Sequence, residues 1–374
     1  MFYRYFRPFT IISNIFGLPK PIVTSEGNSI KINIWLKIWS LLFAAGLISS
    51  CAFLRDRLLR FDVKKDLGII PDVTDLFVNI IIIIINLFNS EIIYISIHEV
   101  FDDIFKHLNI TGYVLKLFAY KMYLWYFTAM IMFIILIVLE ILNDFPPFIL
   151  LIRIPTFLSI LHLIMHLYLL SALLKVINHQ LSRTLIEDNV SKIISTDKIE
   201  AKYIFKYMFS PRIEFIEIND IAQLDLKCLC KLYDRLTICL HLLEKCYGLQ
   251  IFLSIWLMFV SGVVGVTVIV TNQATLKWLV IIKSILPFYW CFLGCYINDQ
   301  MNKEVDQTIT MIIKCLIDFK CVQSKKTILE TFKELVSNDR LQFTACNLFK
   351  LSYAMLLGTM LNVITYSIIL IQMI

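Results

Sequence analysis

Seven apolar windows, each long enough to cross a lipid bilayer as a helix, constrain the fold of this chain more than any other feature. A crossing needs about 20 apolar residues, because the hydrocarbon core is about 30 Å thick and a helix rises about 1.5 Å per residue. The windows lie at 33–54, 74–97, 122–142, 148–175, 248–270, 276–297 and 351–373. Of the 374 residues, 59% are hydrophobic and only 17% are charged, which excludes an ordinary soluble domain. We therefore predict an all-α, polytopic membrane protein with seven transmembrane helices.

The distribution of Lys and Arg predicts which side of the membrane each loop occupies. Basic residues concentrate near the amino terminus and in the loops at 176–247 and 298–350, whereas the loops at 143–147 and 271–275 carry none. Because basic loops stay in the cytosol, we predict the amino terminus inside and the carboxyl terminus outside. Two glycosylation sequons, at Asn109 and Asn189, would then be cytosolic, and they keep the inverted orientation open.

The predicted organisation has four parts. Residues 1–32 form a cytosolic or interfacial segment, and a cleaved presequence is the alternative. Residues 33–297 hold transmembrane helices one to six, and the part at 176–247 forms cytosolic helices. Residues 298–350 form a cytosolic helical anchor region, and residues 351–374 form the seventh helix. Apolar residues repeat every three or four positions from Leu229 to Cys246 and from Val305 to Phe319, which predicts two helices that pack together beneath the membrane.

The last apolar segment is longer than one crossing requires. From Phe343 onward it would extend about 48 Å as a single helix, so we expect part of it to project into the cytosol, with a break at Gly358. It finishes with Gln372 followed by only two residues. We therefore expect the chain to end at a lipid-water boundary, with no further domain beyond it.

Several motifs in the last third of the chain resemble those of the insect gustatory receptors, a branch of the insect chemoreceptor superfamily. The family's Thr-Tyr-(five apolar)-Gln-Phe signature is matched by Thr365, Tyr366 and Gln372. Two earlier blocks are also similar to family motifs: Phe343-Thr344-Ala345-Cys346 followed by Phe349, and Leu232-Tyr233-Asp234-x-Leu236 with Tyr247-Gly248. The chain departs from the pattern at Met373, where Phe is usual, and at Glu244, where Asn is frequent.

The resemblance implies a ligand-gated, non-selective cation channel in the plasma membrane of chemosensory neurons. Four copies would surround one pore lined by the last helix, as a homotetramer or as a heteromer with related receptors. The expected pore and gating residues are Gln372, Met373, Ile369, Ile368, Thr365 and Tyr366. A ring of Gln amides can coordinate hydrated cations, and Ile and Met rings can close by dewetting. In the alternative interpretation Gln372 only caps the helix at the interface. Within the pore helix, we expect Thr365 and Tyr366 to serve packing and hydrogen bonding more than permeation.

The resemblance also implies a ligand pocket that opens to the outside, among the outer halves of the spans before the last. Rare polar side chains in these halves are the candidate ligand contacts: Asn79, Asn86, Glu140, Arg153, His162, Thr267, Trp278 and Lys283. Such residues mark functional sites in membranes, but they also hold helices together. Walls of Phe, Ile, Leu and Trp favour a small, mostly apolar organic tastant, and nothing in the sequence supports sugar specificity.

Three other classes compete with this interpretation. A G-protein-coupled receptor would have the opposite orientation and a cytosolic tail, and an odorant-receptor-like channel subunit would share the fold. A membrane enzyme is suggested by His162-x-x-x-His166, which has metal-ligand spacing, but the remaining histidines are scattered. We expect no catalytic residue, metal, cofactor or nucleic acid, and we expect the partners to be a tastant, inorganic cations and membrane lipid.

Overall fold

The computed structural model describes residues 3–23, 30–31, 34–59, 69–88, 91–108, 148–193, 224–271, 277–318 and 323–373, with isolated helical positions between 120 and 138. The helices are α1 (Tyr3–Ile15), α2 (Ile34–Leu59), α3 (Ile69–Phe88), α4 (Glu91–His107), α5 (Phe148–Ile193), α6 (Leu226–Thr271), α7 (Lys277–Asp318), α8 (Gln323–Asn338) and α9 (Tyr353–Met373). Two short antiparallel hairpins pair β1 (Ile22–Val23) with β2 (Ile30–Lys31) and β3 (Thr344–Ala345) with β4 (Phe349–Lys350). The predicted all-α class is confirmed.

Among the described residues, five helical stretches are long and apolar enough to cross a membrane. They are α3, Arg153–Leu185 within α5, α6, Val280–Ile317 within α7, and α9; α2 adds a shorter apolar stretch, Ile34–Ser49.

The predicted window at 122–142 lies mostly outside the described residues. The window at 74–97 is wrong at both ends, because the helix begins at Ile69 and ends at Phe88, and α4 is a separate helix. Pro71 fits the first turn of α3, where its missing N–H needs no partner.

The predicted cytosolic helices are direct continuations of the spans. Helices α5, α6 and α7 contain 46, 46 and 42 residues, which makes each of them more than 60 Å long, roughly twice the hydrocarbon thickness. The first apolar stripe is buried, with Leu229, Leu236 and Leu243 fully covered, and so are Val305 and Ile312 of the second. The 3-4 spacing therefore predicted these packing faces correctly.

The excess length of the last apolar segment is taken up by the β3–β4 hairpin. Its turn places Cys346 and Asn347 in the left-handed region, with φ values of 53° and 56°. Helix α9 then runs without interruption through Gly358, so the predicted break at that residue is wrong. Its 21 residues extend about 32 Å, which matches a single crossing.

Candidate ligand cavity and pore helix

A buried asparagine of α7 ties together the two ends of the hairpin that precedes α9. Asn298 is fully buried, and its Nδ2 donates to the carbonyl of Leu351 at 2.6 Å. Its Oδ1 accepts the backbone N–H of Phe343 at 2.9 Å. Because Leu351 lies only two residues before Tyr353, where α9 begins, the Asn298 amide sets the position from which the last helix enters the bundle.

Helix α6 holds the same hairpin from another side. The Glu244 carboxylate accepts two hydrogen bonds from Thr344, from the backbone N–H at 2.7 Å and from Oγ1 at 2.6 Å. One turn further along, Gly248 allows close approach, because a Cβ there would lie 3.1 Å from the backbone N of Cys346. Glu244, which departs from the family pattern, thus has a definite structural role: it anchors the hairpin to α6.

Helix α9 packs against the bundle along one narrow face. Leu356, Val363 and Ser367 are its buried residues, and the Ser367 hydroxyl donates to the Val263 carbonyl of α6 at 3.2 Å. A Cβ at Gly262 of α6 would lie 3.0 Å from Val363 and 2.8 Å from the ring of Phe288 on α7. Helices α6, α7 and α9 therefore meet closely at Gly262.

The opposite face of α9 is exposed and carries several of the predicted pore residues. At about 100° per residue, Leu361, Thr365, Ile368 and Gln372 fall on the side of the helix that points away from the packed stripe, and all four are exposed. Ile369 and Met373 are also exposed but lie to one side of this line. Tyr366 contacts α6: its ring packs edge-on against the ring of Phe259, with 5.5 Å between the ring centres. The structure of one chain thus separates a packed face of α9 from an open, partly polar face.

A small cavity lies among α3, α5, α6 and α7. Its volume is about 50 Å³, which is enough for a few water molecules. The walls are contributed by Pro71, Asp75, Arg153, Thr156, Phe157, Ile160, Ser254, Leu257, Ser261, Leu286, Pro287 and Trp290. Apolar and aromatic groups dominate this surface and a few polar groups interrupt it, as is usual in sites for small organic molecules.

The polar end of the cavity is a buried ionic cluster between α5 and α3. Arg153 Nη2 lies 2.5 Å from Asp72 Oδ1, and its Nε lies 2.9 Å from Asp75 Oδ2. The three side chains are 9% exposed or less. Of the predicted ligand contacts whose side chains are described, Arg153 is the one in the cavity wall, where it pairs with the two carboxylates.

Asn79 is not a wall residue itself but forms hydrogen bonds to two residues of the cavity wall. Its Oδ1 accepts both the backbone N–H and the hydroxyl of Thr156, at 2.7 and 2.8 Å, and its Nδ2 donates to the carbonyl of Asp75 at 2.7 Å. Thr156 and Asp75 are both wall residues. Asn79 therefore fixes the relative position of α3 and α5, and its contact with a ligand stays a prediction.

Asn86 and His162 belong to a second buried polar cluster, centred on Lys20. The Lys20 amine donates to the Tyr247 hydroxyl at 2.9 Å and lies over the ring of Tyr94, 5.5 Å from its centre. Tyr94 in turn donates to Asn86 Oδ1 at 2.9 Å. Lys20 is only 4% exposed, and burial lowers the pKa of its amine to about 7. Because Lys20 follows α1, this cluster holds the amino-terminal segment inside the bundle.

The same segment is also tied to α5. Ser13 Oγ lies 2.6 Å from His162 Nε2, and His166 Nδ1 lies 2.7 Å from the His162 carbonyl. The two imidazoles are therefore engaged in helix packing, and the described residues contain no group of three His, Cys, Asp or Glu side chains placed to hold a metal ion.

The remaining predicted ligand contacts are distributed as follows. Thr267 is fully buried on α6, and its hydroxyl donates to the Val263 carbonyl at 2.8 Å. Glu140 lies outside the described residues, as do the side chains of Trp278 and Lys283. Ligand contact by these four residues stays a prediction.

Sequence reasoning missed the partners of Arg153 and the role of Lys20. Asp72 lies in the first turn of α3. Its spacing from Asp75, one helical turn apart at the start of an apolar helix, was the available signal. Trp290 was also missed: it is 4% exposed, and its Nε1 has no hydrogen-bond partner among the residues that the structure describes.

Comparisons with known proteins agree with this architecture. A family model described as 7tm chemosensory receptor matches residues 6–374. A search of curated proteins finds no match. Two solved structures of the insect olfactory receptor OR5 from Machilis hrabei are similar: the complex with eugenol gives a TM-score of 0.61 at 13% identity, and another structure gives 0.65 at 12%. Both similarities cover 99% of this chain and 98% of the receptor. The chain belongs to the 7tm chemosensory receptor family.

Proposed function

We propose that this chain is a gustatory receptor that acts as a ligand-gated, non-selective cation channel and opens on binding a small organic tastant. The observation that carries the proposal is the open face of α9. Large apolar side chains such as Leu357, Leu361 and Ile364 are more than half exposed there, on a helix long enough to cross the membrane. Such a helix needs lipid or further copies of the chain around it.

In the proposed assembly four copies place α9 around one axis in the plasma membrane of a chemosensory neuron. The face that points away from α6 then lines the pore, with Thr365 and Ile368 below Gln372. Four Gln amides can coordinate hydrated cations, and a ring of Ile side chains can close the pore by dewetting. The Thr-Tyr and Gln positions of the gustatory signature support this branch of the superfamily.

Gating follows from the connection between the cavity and α9. Helices α6 and α7 supply cavity walls through Leu257, Ser261 and Pro287, and Gly262 brings α6 and α7 into contact with α9. A ligand larger than the cavity separates these helices and so displaces α9. The hairpin held by Asn298 keeps the other end of α9 fixed, on the side that we assign to the cytosol.

The experiment is a whole-cell recording from a heterologous cell that expresses the chain, challenged with plant alkaloids, aromatic compounds and sugars while G-protein signalling is blocked. We expect a ligand-evoked cation current whose relative permeabilities change in Gln372→Ala. Ser367→Ala is the matched control, because Ser367 faces α6 and its loss leaves the permeabilities unchanged. A response that disappears with the G-protein block, in cells with confirmed surface expression, would instead support a G-protein-coupled receptor.

An odorant-receptor-like channel subunit is the second candidate, since both solved relatives are olfactory receptors and one was solved with eugenol. This candidate predicts a current only when an odorant-receptor partner subunit is present in the same cell. A current from the chain expressed alone favours the homotetrameric gustatory receptor.

A further inference from the structure

The segment that follows α1 forms a compact hook that carries Lys20 into the bundle. The chain turns at Gly17, whose φ of 77° lies in the left-handed region, and the N–H of the next residue donates to the Ser13 carbonyl at 2.9 Å. The Asn14 side chain closes the turn, because its Oδ1 accepts the Lys20 N–H at 2.6 Å and its Nδ2 donates to the Lys20 carbonyl at 3.2 Å. We call residues 13–20 the hook, since their own hydrogen bonds set its shape.

The hook contacts two long helices at once. At its start, Ser13 Oγ lies 2.6 Å from His162 Nε2 on α5. At its end, the Lys20 amine donates to the Tyr247 hydroxyl on α6 at 2.9 Å. The hook therefore bridges α5 and α6, on the side of the bundle that we assign to the cytosol.

The contact between α5 and α6 continues from the hook to the cavity. Ser159 lies about one turn from His162 on α5, and its hydroxyl donates to Gln250 Oε1 on α6. The Ser254 hydroxyl donates to the Gln250 carbonyl at 2.7 Å, and Ser254 is a residue of the cavity wall. A ligand that separates α5 from α6 must therefore also work against the hook.

The groups that face the Lys20 amine do not neutralise a positive charge. They are phenol, imidazole and thiol side chains from three helices: Tyr94 and His98 of α4, His162 and His166 of α5, and Cys246 and Tyr247 of α6. Asp102 of α4 acts on His98, and within the described part of the chain no carboxylate pairs with Lys20. The two tyrosine rings offset only part of the cost of burial, which lowers the pKa of the amine to about 7. The hook therefore binds best when Lys20 is neutral.

We propose that the hook is an autoinhibitory element that cytosolic protons release. With a neutral amine, the hook holds α5 against α6 and opposes opening. Protonation of Lys20 favours a state in which the hook leaves the bundle and water solvates the ammonium ion, so the two helices separate more easily. This inference rests on the proposed function, in which the separation of these helices opens the pore. It adds a form of regulation: acidification of the cytosol makes the receptor more sensitive to its ligand.

Proton linkage gives the size of the effect. In the bound state of the hook the amine has a pKa of about 7, and in the released state it has the ordinary value of 10.5. The ratio of released to bound hook should therefore rise about threefold from pH 7.5 to pH 6.5 and about tenfold from pH 8 to pH 6. At still lower pH the amine is protonated in both states, and the ratio becomes constant.

Hydrogen exchange of the purified full-length receptor in lipid nanodiscs tests the release of the hook directly. Protection factors, corrected for the pH dependence of intrinsic exchange, are measured at pH 8, 7 and 6. We expect the protection of residues 7–21 to fall about tenfold from pH 8 to pH 6, while that of α8 stays constant. In Lys20→Met the protection should stay high at each pH. In Lys20→Arg it should be low at each pH, because a guanidinium keeps its charge.

Two results of this measurement would overturn the proposal. The first is a protection of residues 7–21 that does not change with pH in the wild type. The second is an equal loss of protection in Lys20→Met, which would assign the pH response to the histidines around the hook. Because exchange is measured without a current, both results are independent of whether the chain conducts ions.

Inside-out patches test the link between the hook and opening. The compound that evokes the largest current in the panel described above is kept in the pipette at its half-maximal concentration, and the bath, which contacts the cytosolic face, is changed from pH 7.5 to pH 6.5. We expect the current to rise in the wild type and in the control Lys333→Met, and to be smaller and independent of pH in Lys20→Met. A wild-type current that ignores bath pH, although protection falls, would overturn the role of the hook in gating. The absence of current with every compound would instead count against the channel proposal, and the exchange result would still decide whether protons release the hook.

Discussion

Replacing Lys20 by Met should stabilise the protein near neutral pH and flatten its pH dependence. The amine is buried, donates to the Tyr247 hydroxyl at 2.9 Å and lies over the rings of Tyr94 and Tyr247. Burial lowers its pKa from 10.5 to about 7. Because one pKa unit corresponds to about 1.4 kcal/mol, placing the amine here costs roughly 5 kcal/mol at pH 7, less at higher pH. Met keeps most of the apolar stem of the side chain and removes the cost of burying the amine. The hydrogen bond that is lost with the amine contributes only about 1 kcal/mol, so the net effect is stabilising.

The sign of the pH dependence follows from proton binding. Between about pH 7 and 10.5 the unfolded chain holds the proton on Lys20 and the folded chain releases it, so the stability of the wild type rises with pH. Below about pH 7 both states are protonated and this contribution becomes constant. The stability advantage of Lys20→Met should therefore shrink by roughly 2 kcal/mol from pH 7 to pH 9.

Thermal unfolding midpoints of the purified protein in detergent, measured at pH 7, 8 and 9, test this prediction. Lys333→Met is the control, because Lys333 is exposed on α8 and its replacement should leave the pH profile of the wild type unchanged. Parallel profiles for the wild type and Lys20→Met, or a lower midpoint for the variant at pH 7, would refute the assignment of Lys20 as a buried amine with a lowered pKa.

Three further substitutions test the packing that surrounds the cavity and α9, each by the unfolding midpoint and surface expression. Asn298→Ala should cost about 2 to 4 kcal/mol, since two buried backbone groups lose their partner; an unchanged midpoint would contradict its role at the hairpin. Gly262→Ala should lower the unfolding midpoint, because the new Cβ would lie 2.8 Å from the Phe288 ring. Gly358→Ala is the control: among the described residues nothing lies within 4 Å of its Cβ, so the midpoint should stay the same or rise. Equal midpoints for the two variants would contradict the close contact of α6, α7 and α9 at Gly262. Arg153→Met should lower the free energy of unfolding by about 3 to 5 kcal/mol, because the buried carboxylates lose their counter-charge. Adding Asp75→Asn to this variant should restore part of the lost stability. A double variant no more stable than Arg153→Met would contradict the ion pair.

The membrane class, most of the helices and the packing stripes could be predicted because these features are local. Lipid offers no hydrogen bonds to the backbone, so an apolar run of sufficient length must be helical. The apolar stripe from Leu229 to Cys246 could be predicted for the same reason, because residues spaced three or four apart lie on one face of a helix. Helix ends were less predictable, and the α3 boundaries and the supposed break at Gly358 were wrong, because a hydropathy window averages over the residues that begin and end a helix.

By itself the sequence determined that the chain is a multi-span helical protein with a partly polar terminal helix. Only the tertiary structure decided which polar groups meet: Arg153 with Asp72, and Lys20 with Tyr247. The partners of each pair are separated by long stretches of chain, so their contacts depend on how the helices pack in three dimensions. Hydrophobic periodicity specifies the face that a helix buries, but the neighbour that covers the face, and the polar atoms it brings, follow from the fold of the whole bundle.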